Sequence, residues 1–209
     1  LVRSRYEKFY LSQGFGISAS KCRIIPLSYN VNPESFGNER EPFCLHISLL
    51  CDARKNVKRL IDASVKYNFK LVLGGILRNE QEKKLLDSWI RDKPNVTYMG
   101  YISYDTMLDL YKRAKVFALP SIYEGVGIVA LDAAVMGCDI VITRLGGPKE
   151  YYNNMAVEVD PYSIDEIGLA VSQLMQGQTF QPDLRKYILE NYSLKNISEQ
   201  LEMAFSIVL

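Results

Sequence analysis

K-V-F-A-L-P-S-I-Y-E-G-V-G-I-V-A-L-D, residues 115–132, joins a strand-like run to a helix-like one through a glycine turn. Lys115 to Leu119 is a short apolar run of strand type. Pro120 closes it, Gly125 and Gly127 supply a turn, and apolar residues at helical spacing run from about Gly127 to Met136. A strand that passes through a glycine turn into a helix is half of a βαβ unit. Such a unit buries its strand only when it is repeated in a parallel sheet covered by helices, so the rest of the chain should show the same alternation.

The remaining strand-like runs are Arg23 to Leu27, Phe43 to Leu49, Lys70 to Leu73, Val96 to Met99, Asp139 to Thr143 and Ala156 to Val159. Segments of helical spacing lie between them. Arg54 to Tyr67 places Val57, Leu60, Ile61 and Ser64 on one face, and Glu80 to Ile90 turns Leu85, Leu86 and Trp89 inward. Ser103 is placed to cap a helix striped by Met107, Leu110, Tyr111 and Ala114, and Ser163 to Met175 buries Ile164, Ile167, Val171 and Leu174. Pro182 to Glu190 and Leu194 to Val208 close the chain with no strand between them, and Pro33 to Pro42 is a polar loop. The expected fold is α/β: a Rossmann-like, doubly wound parallel sheet with helices on both faces, forming a single domain over residues 1–209. Residues 1–22 read as an inter-domain linker or helix. Residues 192–209 read as a C-terminal helix packing toward a missing N-terminal domain.

Composition narrows the function classes. Twenty-five basic side chains against twenty-four acidic ones create no overall field for nucleic acid or an anionic membrane. The aromatics form no basic-aromatic platform for bases. The longest apolar runs stop well short of the roughly 20 residues a bilayer span needs. Cys22, Cys44, Cys51 and Cys138 show no C-x-x-C spacing, and the lone His46 falls inside a strand run. These features favour a reduced, cytoplasmic setting, no metal site, and a packed core role for His46. The chain opens on Leu1 with no signal-peptide core, as an excised fragment would.

In an open parallel sheet, ligands lie beyond the carboxyl ends of the strands, where helix N-termini present unpaired N–H groups. In Ser121 to Asp132 the glycines let backbone approach a ligand, and the helix start faces the same spot, which suits a phosphate or pyrophosphate. Glu124 would accept from sugar hydroxyls, and Asp132 would lean back toward a ribose diol. The premise is an anionic-ligand cradle at the helix start, flanked by the two carboxylates.

With these residues in view, the stretch from Lys115 to Thr143 resembles the donor-binding core of the family-4 retaining glycosyltransferases, with its P-S, E-G-F-G and second Glu eight residues after the first. R-I-I-P-L-S-Y-N-V, R-K-N-V-K-R-L-I-D-A, V-T-Y-M-G-Y-I-S, L-G-G-P-K-E-Y and V-D-P-Y-S are similar to further elements of that family, over roughly residues 23 to 175. The resemblance implies one half of a GT-B fold. It assigns Glu124 to the transferred sugar and Lys55 to the phosphates as catalytic residues. It assigns Gly125, Val126, Gly127 and Ile128 to sugar and diphosphate, Asp132 to the ribose, Gly100 and Tyr101 to the nucleobase, and Gly75 and Arg54 to the donor more loosely. The sequence departs from the family twice. Asp132 stands where the family has Glu, and Leu49-Leu50 stand where it often has G-R, removing a guanidinium that clamps the donor diphosphate; Arg54 or Arg144 are the substitutes at hand.

The function the resemblance implies is retaining transfer of a glycosyl group from a nucleoside diphosphate sugar, with a UDP-sugar as the expected donor and no further cofactor. The acceptor would be held by an absent N-terminal domain, in the same or another chain, which would also make any contact with the inner face of the membrane. Polysaccharide biosynthesis is the expected setting. The alternatives are a non-catalytic nucleotide-sugar-binding subunit, or an epimerase or phosphorylase on the same architecture.

Overall fold

The computed structural model describes residues 1–37 and 39–206. Six strands form one sheet: β1 (Glu41–Ile47), β2 (Lys70–Gly74), β3 (Val96–Tyr98), β4 (Ala114–Leu119), β5 (Asp139–Thr143) and β6 (Val157–Val159). All five pairings are parallel, and the strand order is β3-β2-β1-β4-β5-β6. The chain winds outward from β1 to one edge, returns, and winds from β4 to the other. β1 and β4 are therefore the neighbours between which the winding reverses, the place where open α/β sheets bind ligands.

The helices are α1 (Arg5–Phe15), α2 (Val57–Lys66), α3 (Glu80–Ile90), α4 (Tyr104–Arg113), α5 (Ile128–Val135), α6 (Ile164–Met175), α7 (Asp183–Tyr192) and α8 (Leu194–Ser206). The two-residue period of the strands sorts the core into two layers. Phe43, Leu45, Phe117, Leu119, Ile140 and Ile142 face α4, α5 and α7, while Cys44, Val116, Ala118 and Val141 face α2 and α6. That is the doubly wound arrangement expected from sequence. Ser103 and Ser163 cap α4 and α6 through their hydroxyls, as expected.

Several boundaries are corrected. Arg23 to Leu27 is not a strand; a single parallel bridge joins Ile24 to Val2, and Pro26 lacks the N–H a longer ladder needs. The segment expected to be helical from Arg54 splits at Asn56, whose left-handed backbone (φ 60°) separates a short turn over Ala53–Lys55 from α2. Ala114 opens β4 rather than ending α4, and Leu85 is exposed on α3 while Leu86 is buried. The last helix ends at Ser206 among the described residues; Val208, in the expected span, lies outside them.

The first residues are anchored, although α1 buries none of its own side chains. Val2 and Ser4 are buried. The Glu150 carboxylate accepts from the N–H groups of Arg5 (2.7 Å) and Tyr6 (2.8 Å), matching a negative charge to the positive end of α1.

Candidate functional site

The loops that leave β1 and β4 meet. Ile122 N–H donates to the carbonyl of Arg54 at 2.8 Å. The buried Asn56 side chain donates to the carbonyls of Pro120 (2.9 Å) and Pro161 (2.6 Å). Because Asn56 breaks the helix just after Lys55, the lysine stands outside α2, and its Nζ donates to Glu124 Oε2 at 2.5 Å. Both side chains are about four-fifths buried, with relative exposures of 20% and 15%. Ser121 Oγ (3.4 Å) and Gly125 N–H (3.2 Å) complete the surroundings of the Glu124 carboxylate. Two residues 69 positions apart, both expected to act on a donor, thus converge at the winding reversal.

Beside this pair, α5 begins at Gly127. Its backbone (φ 73°) is left-handed, a Cβ there would lie 2.9 Å from Leu119 Cδ2, and no side chain caps the helix. The free helix tip borders a cavity of about 290 Å³ lined by Arg3, Leu27, Lys55, Glu124 and the stretch from Gly125 to Val129. Glu124, Gly125 and Arg3 also line a neighbouring cavity of about 280 Å³ whose walls include Tyr6, Tyr10, Phe15 and Tyr123. Glu124 therefore stands between an open helix start and an aromatic hollow.

Beneath the pair, His46 is fully buried. Its Nδ1 meets the Ala118 carbonyl at 2.8 Å, and its Nε2 meets Ser48 Oγ at 2.7 Å. A carbonyl only accepts, so Nδ1 carries the proton and Nε2 accepts from Ser48. Burial lowers the pKa of His46 to about 4, helped by nearby Lys55 and opposed by the Ala118 bond and Glu124. The ring is a neutral floor under the site, the packed role expected of it.

Other expected site residues fall elsewhere. Asp132 is buried on α5, and its Oδ1 accepts from Asn30 N–H at 2.6 Å. One carboxylate oxygen is taken by the loop that carries Asn30, and Asp132 is not among the residues that line the cavity, so the expected second carboxylate flank is corrected. The cause is burial: Ala130 to Val135 are all buried, leaving α5 no polar face. Burial also raises the Asp132 pKa to about 6, against the Asn30 bond. Val126 lines the cavity, though its side chain is largely buried.

Arg54 forks onto Asp52 through Nε (3.1 Å) and a terminal nitrogen (2.7 Å), Arg144 pairs with Glu166, and neither is among the residues that line the cavity at the start of α5. Gly75 is a packing residue: a Cβ there would lie 1.9 Å from the Ser48 carbonyl oxygen, and its N–H is spent on Gly100 O at 3.1 Å. That bond braces the loops after β2 and β3, beside which the exposed Tyr101 borders a cavity of about 530 Å³ with Ile76, Arg78, Lys83 and Tyr98.

The family pattern described as "Glycosyl transferases group 1" matches residues 30–192. The chain belongs to this family. It is 30% identical over 168 residues to an uncharacterized glycosyltransferase of Methanocaldococcus jannaschii, across 75% of this chain and 43% of that protein. It is 26% identical over 152 residues to the O-antigen chain mannosyltransferase B of Escherichia coli, across 66% of this chain and 38% of that protein. The chain thus spans less than half the length of these two curated relatives. Among solved structures, sucrose-phosphate synthase from Thermosynechococcus elongatus superposes with a TM-score of 0.84 at 21% identity, covering 99% of this chain and 57% of that one. Anabaena HepE, solved in complex with UDP and glucose, also gives 0.84, at 18% identity, covering 98% and 62%. These likenesses confirm the GT-B Rossmann-like fold of this group 1 glycosyl transferase chain.

Among the described residues, no group of three or more His, Cys, Asp or Glu side chains is placed to hold a metal ion, no described helix is long and apolar enough to cross a membrane, and the four cysteines are free. Sequence reasoning missed three residues that shape the site. Asn56 carried a signal in the K-N dipeptide. Arg3 and Glu150 did not stand out, although S-R-Y-E at residues 4–7 is a capping-box pattern that marks a helix start and so places Arg3 just before it.

Proposed function

We propose that this group 1 domain is the donor-binding half of a retaining glycosyltransferase and takes a nucleoside diphosphate sugar at the start of α5. The observation that carries the reading is the meeting of Lys55 and Glu124 across the β1/β4 reversal, beside an uncapped helix tip with an open cavity. The diphosphate lies against Lys55 and the first N–H groups of α5, which hold the charge that grows on the leaving phosphate as the glycosyl bond breaks. Glu124, between the two hollows, accepts from hydroxyls of the transferred sugar. The nucleobase extends along the sheet edge toward Gly100 and Tyr101.

In this reading the acceptor hydroxyl attacks from the face the diphosphate leaves, and its proton passes to a phosphate oxygen of the leaving group, so configuration is retained. The acceptor is held by a further domain, which closes over the donor. The ribose role first expected of Asp132 is not part of the proposal, because that carboxylate is buried and occupied.

A uridine donor is the first to test, supported by the UDP and glucose in the structure of Anabaena HepE. Calorimetry of the chain with UDP, GDP and ADP and their sugars is the experiment. One base should bind with a clear preference and its sugar conjugate more tightly still. Binding of none of the six would refute the proposal.

A further inference from the structure

We infer that Arg3 is a ligand of the donor diphosphate and supplies the guanidinium that Leu49 and Leu50 cannot. The inference rests on the donor reading above and deepens it by naming a second cation. Arg3 lines the same cavity as Lys55, Gly127 and Ile128. Its Nη1 lies 3.7 Å from where a Cβ on Gly125 would be, so the guanidinium already faces the glycine turn at close range.

The side chain is held ready. Glu7 accepts from Nε at 3.1 Å and from Nη2 at 2.6 Å, while Nη1 makes no hydrogen bond among the described residues. The backbone is pinned on both sides of it. Val2 N–H donates to Arg23 O (2.9 Å), and Val2 O accepts from Ile25 N–H (2.8 Å). The Arg3 carbonyl accepts from Tyr151 Oη at 2.8 Å, and Ser4 is so close to Gly147 that a Cβ there would lie 2.6 Å from Ser4 Oγ. A planar fork fixed in advance loses little freedom on meeting a phosphate and binds it through parallel N–H bonds. Lys55 and Arg3 each have one carboxylate partner in the free chain, and a diphosphate, which carries at least two negative charges, is matched better by both cations than by one. Arg3, Arg54 and Arg144 all pair with carboxylates in the free chain; of the three, Arg3 is the one that lines the cavity at the start of α5.

The test is calorimetry of wild type, Arg3→Ala, Arg3→Lys and Lys55→Ala with UDP and with uridine, the guanosine and adenosine pairs being run in parallel. For the base that binds, Arg3→Ala should weaken the diphosphate about tenfold, the size of one charge-assisted contact, and change the nucleoside by less than about twofold. Arg3→Lys should recover part of the loss, since it restores charge without the fork. Unchanged diphosphate affinity in Arg3→Ala, beside a loss in Lys55→Ala, would overturn the role of Arg3 alone. An equal loss for diphosphate and nucleoside would also overturn it, by showing that α1 had moved. If wild type binds no diphosphate, the donor reading itself falls, and this inference with it.

Discussion

Glu124 and Asp132 stand eight positions apart on one strand–turn–helix unit, and the fold treats them in opposite ways. Glu124 precedes the helix, faces two cavities and pairs with Lys55. Asp132 lies past the first turn of α5, in the run Ala130 to Val135 that is buried throughout, where its carboxylate ties down the backbone of Asn30. Motif spacing makes the two look equivalent. What separates them is solvent access: a carboxylate before the helix meets the open cavities, whereas one past its first turn here meets the core. The first borders open cavities, and the second holds the loop that carries Asn30 at a cost set by its burial.

The largest effects are expected around Glu124, at its partner Lys55. Lys55→Ala should weaken nucleoside diphosphate binding by about 10- to 100-fold, the range of a lost charge-assisted contact, with the greatest loss at low salt. A titration at two salt concentrations reads both effects. Asn56→Ala should cost about 1–3 kcal/mol in denaturant unfolding, because it leaves the carbonyls of Pro120 and Pro161 without a donor. It should also weaken diphosphate binding without touching the ligand, since Lys55 loses its brace.

At the buried end the sign reverses. Asp132 is raised from 3.8 to about 6, so the native state favours its protonated form. Its stabilisation is present at low pH and is lost as pH rises through about 6. Asp132→Asn keeps an acceptor for Asn30 and removes the buried charge, so at pH 8 it should stabilise the chain by about 1–2 kcal/mol. Destabilisation of that size would show that the charge itself is needed. The smallest effect is a pH profile. His46 is lowered from 6.5 to about 4, so its neutral form stabilises the fold above 6.5 and that contribution is lost as pH falls toward 4. The two contributions oppose each other between about pH 4 and 6. Wild-type stability should be nearly flat there, and Asp132→Asn should expose a decline on acidification of about 2–3 kcal/mol.

Much of this was legible in the sequence because it is periodic. β5 and α3 fall where apolar spacing put them, and the glycine turn before α5 is where Gly125 and Gly127 place it. The Lys55–Glu124 meeting was legible only through family resemblance, since no local pattern joins residues 69 apart. Three features were not legible. The burial of Asp132 depends on what packs around α5. The capture of Arg54 and Arg144 by Asp52 and Glu166 depends on rotamers. The arrival of Arg3 depends on how the first residues fold back onto Ile24 and Tyr151.

The most direct test compares UDP-glucose with UDP, or the equivalent pair for whichever base binds, on wild type and Glu124→Ala by calorimetry. Wild type should favour the sugar conjugate. Glu124→Ala should lose that preference while holding bare diphosphate at least as tightly, because Lys55 is released from its 2.5 Å partner. An equal loss of both ligands, or a preference left intact, would contradict the assignment of Glu124 to the transferred sugar.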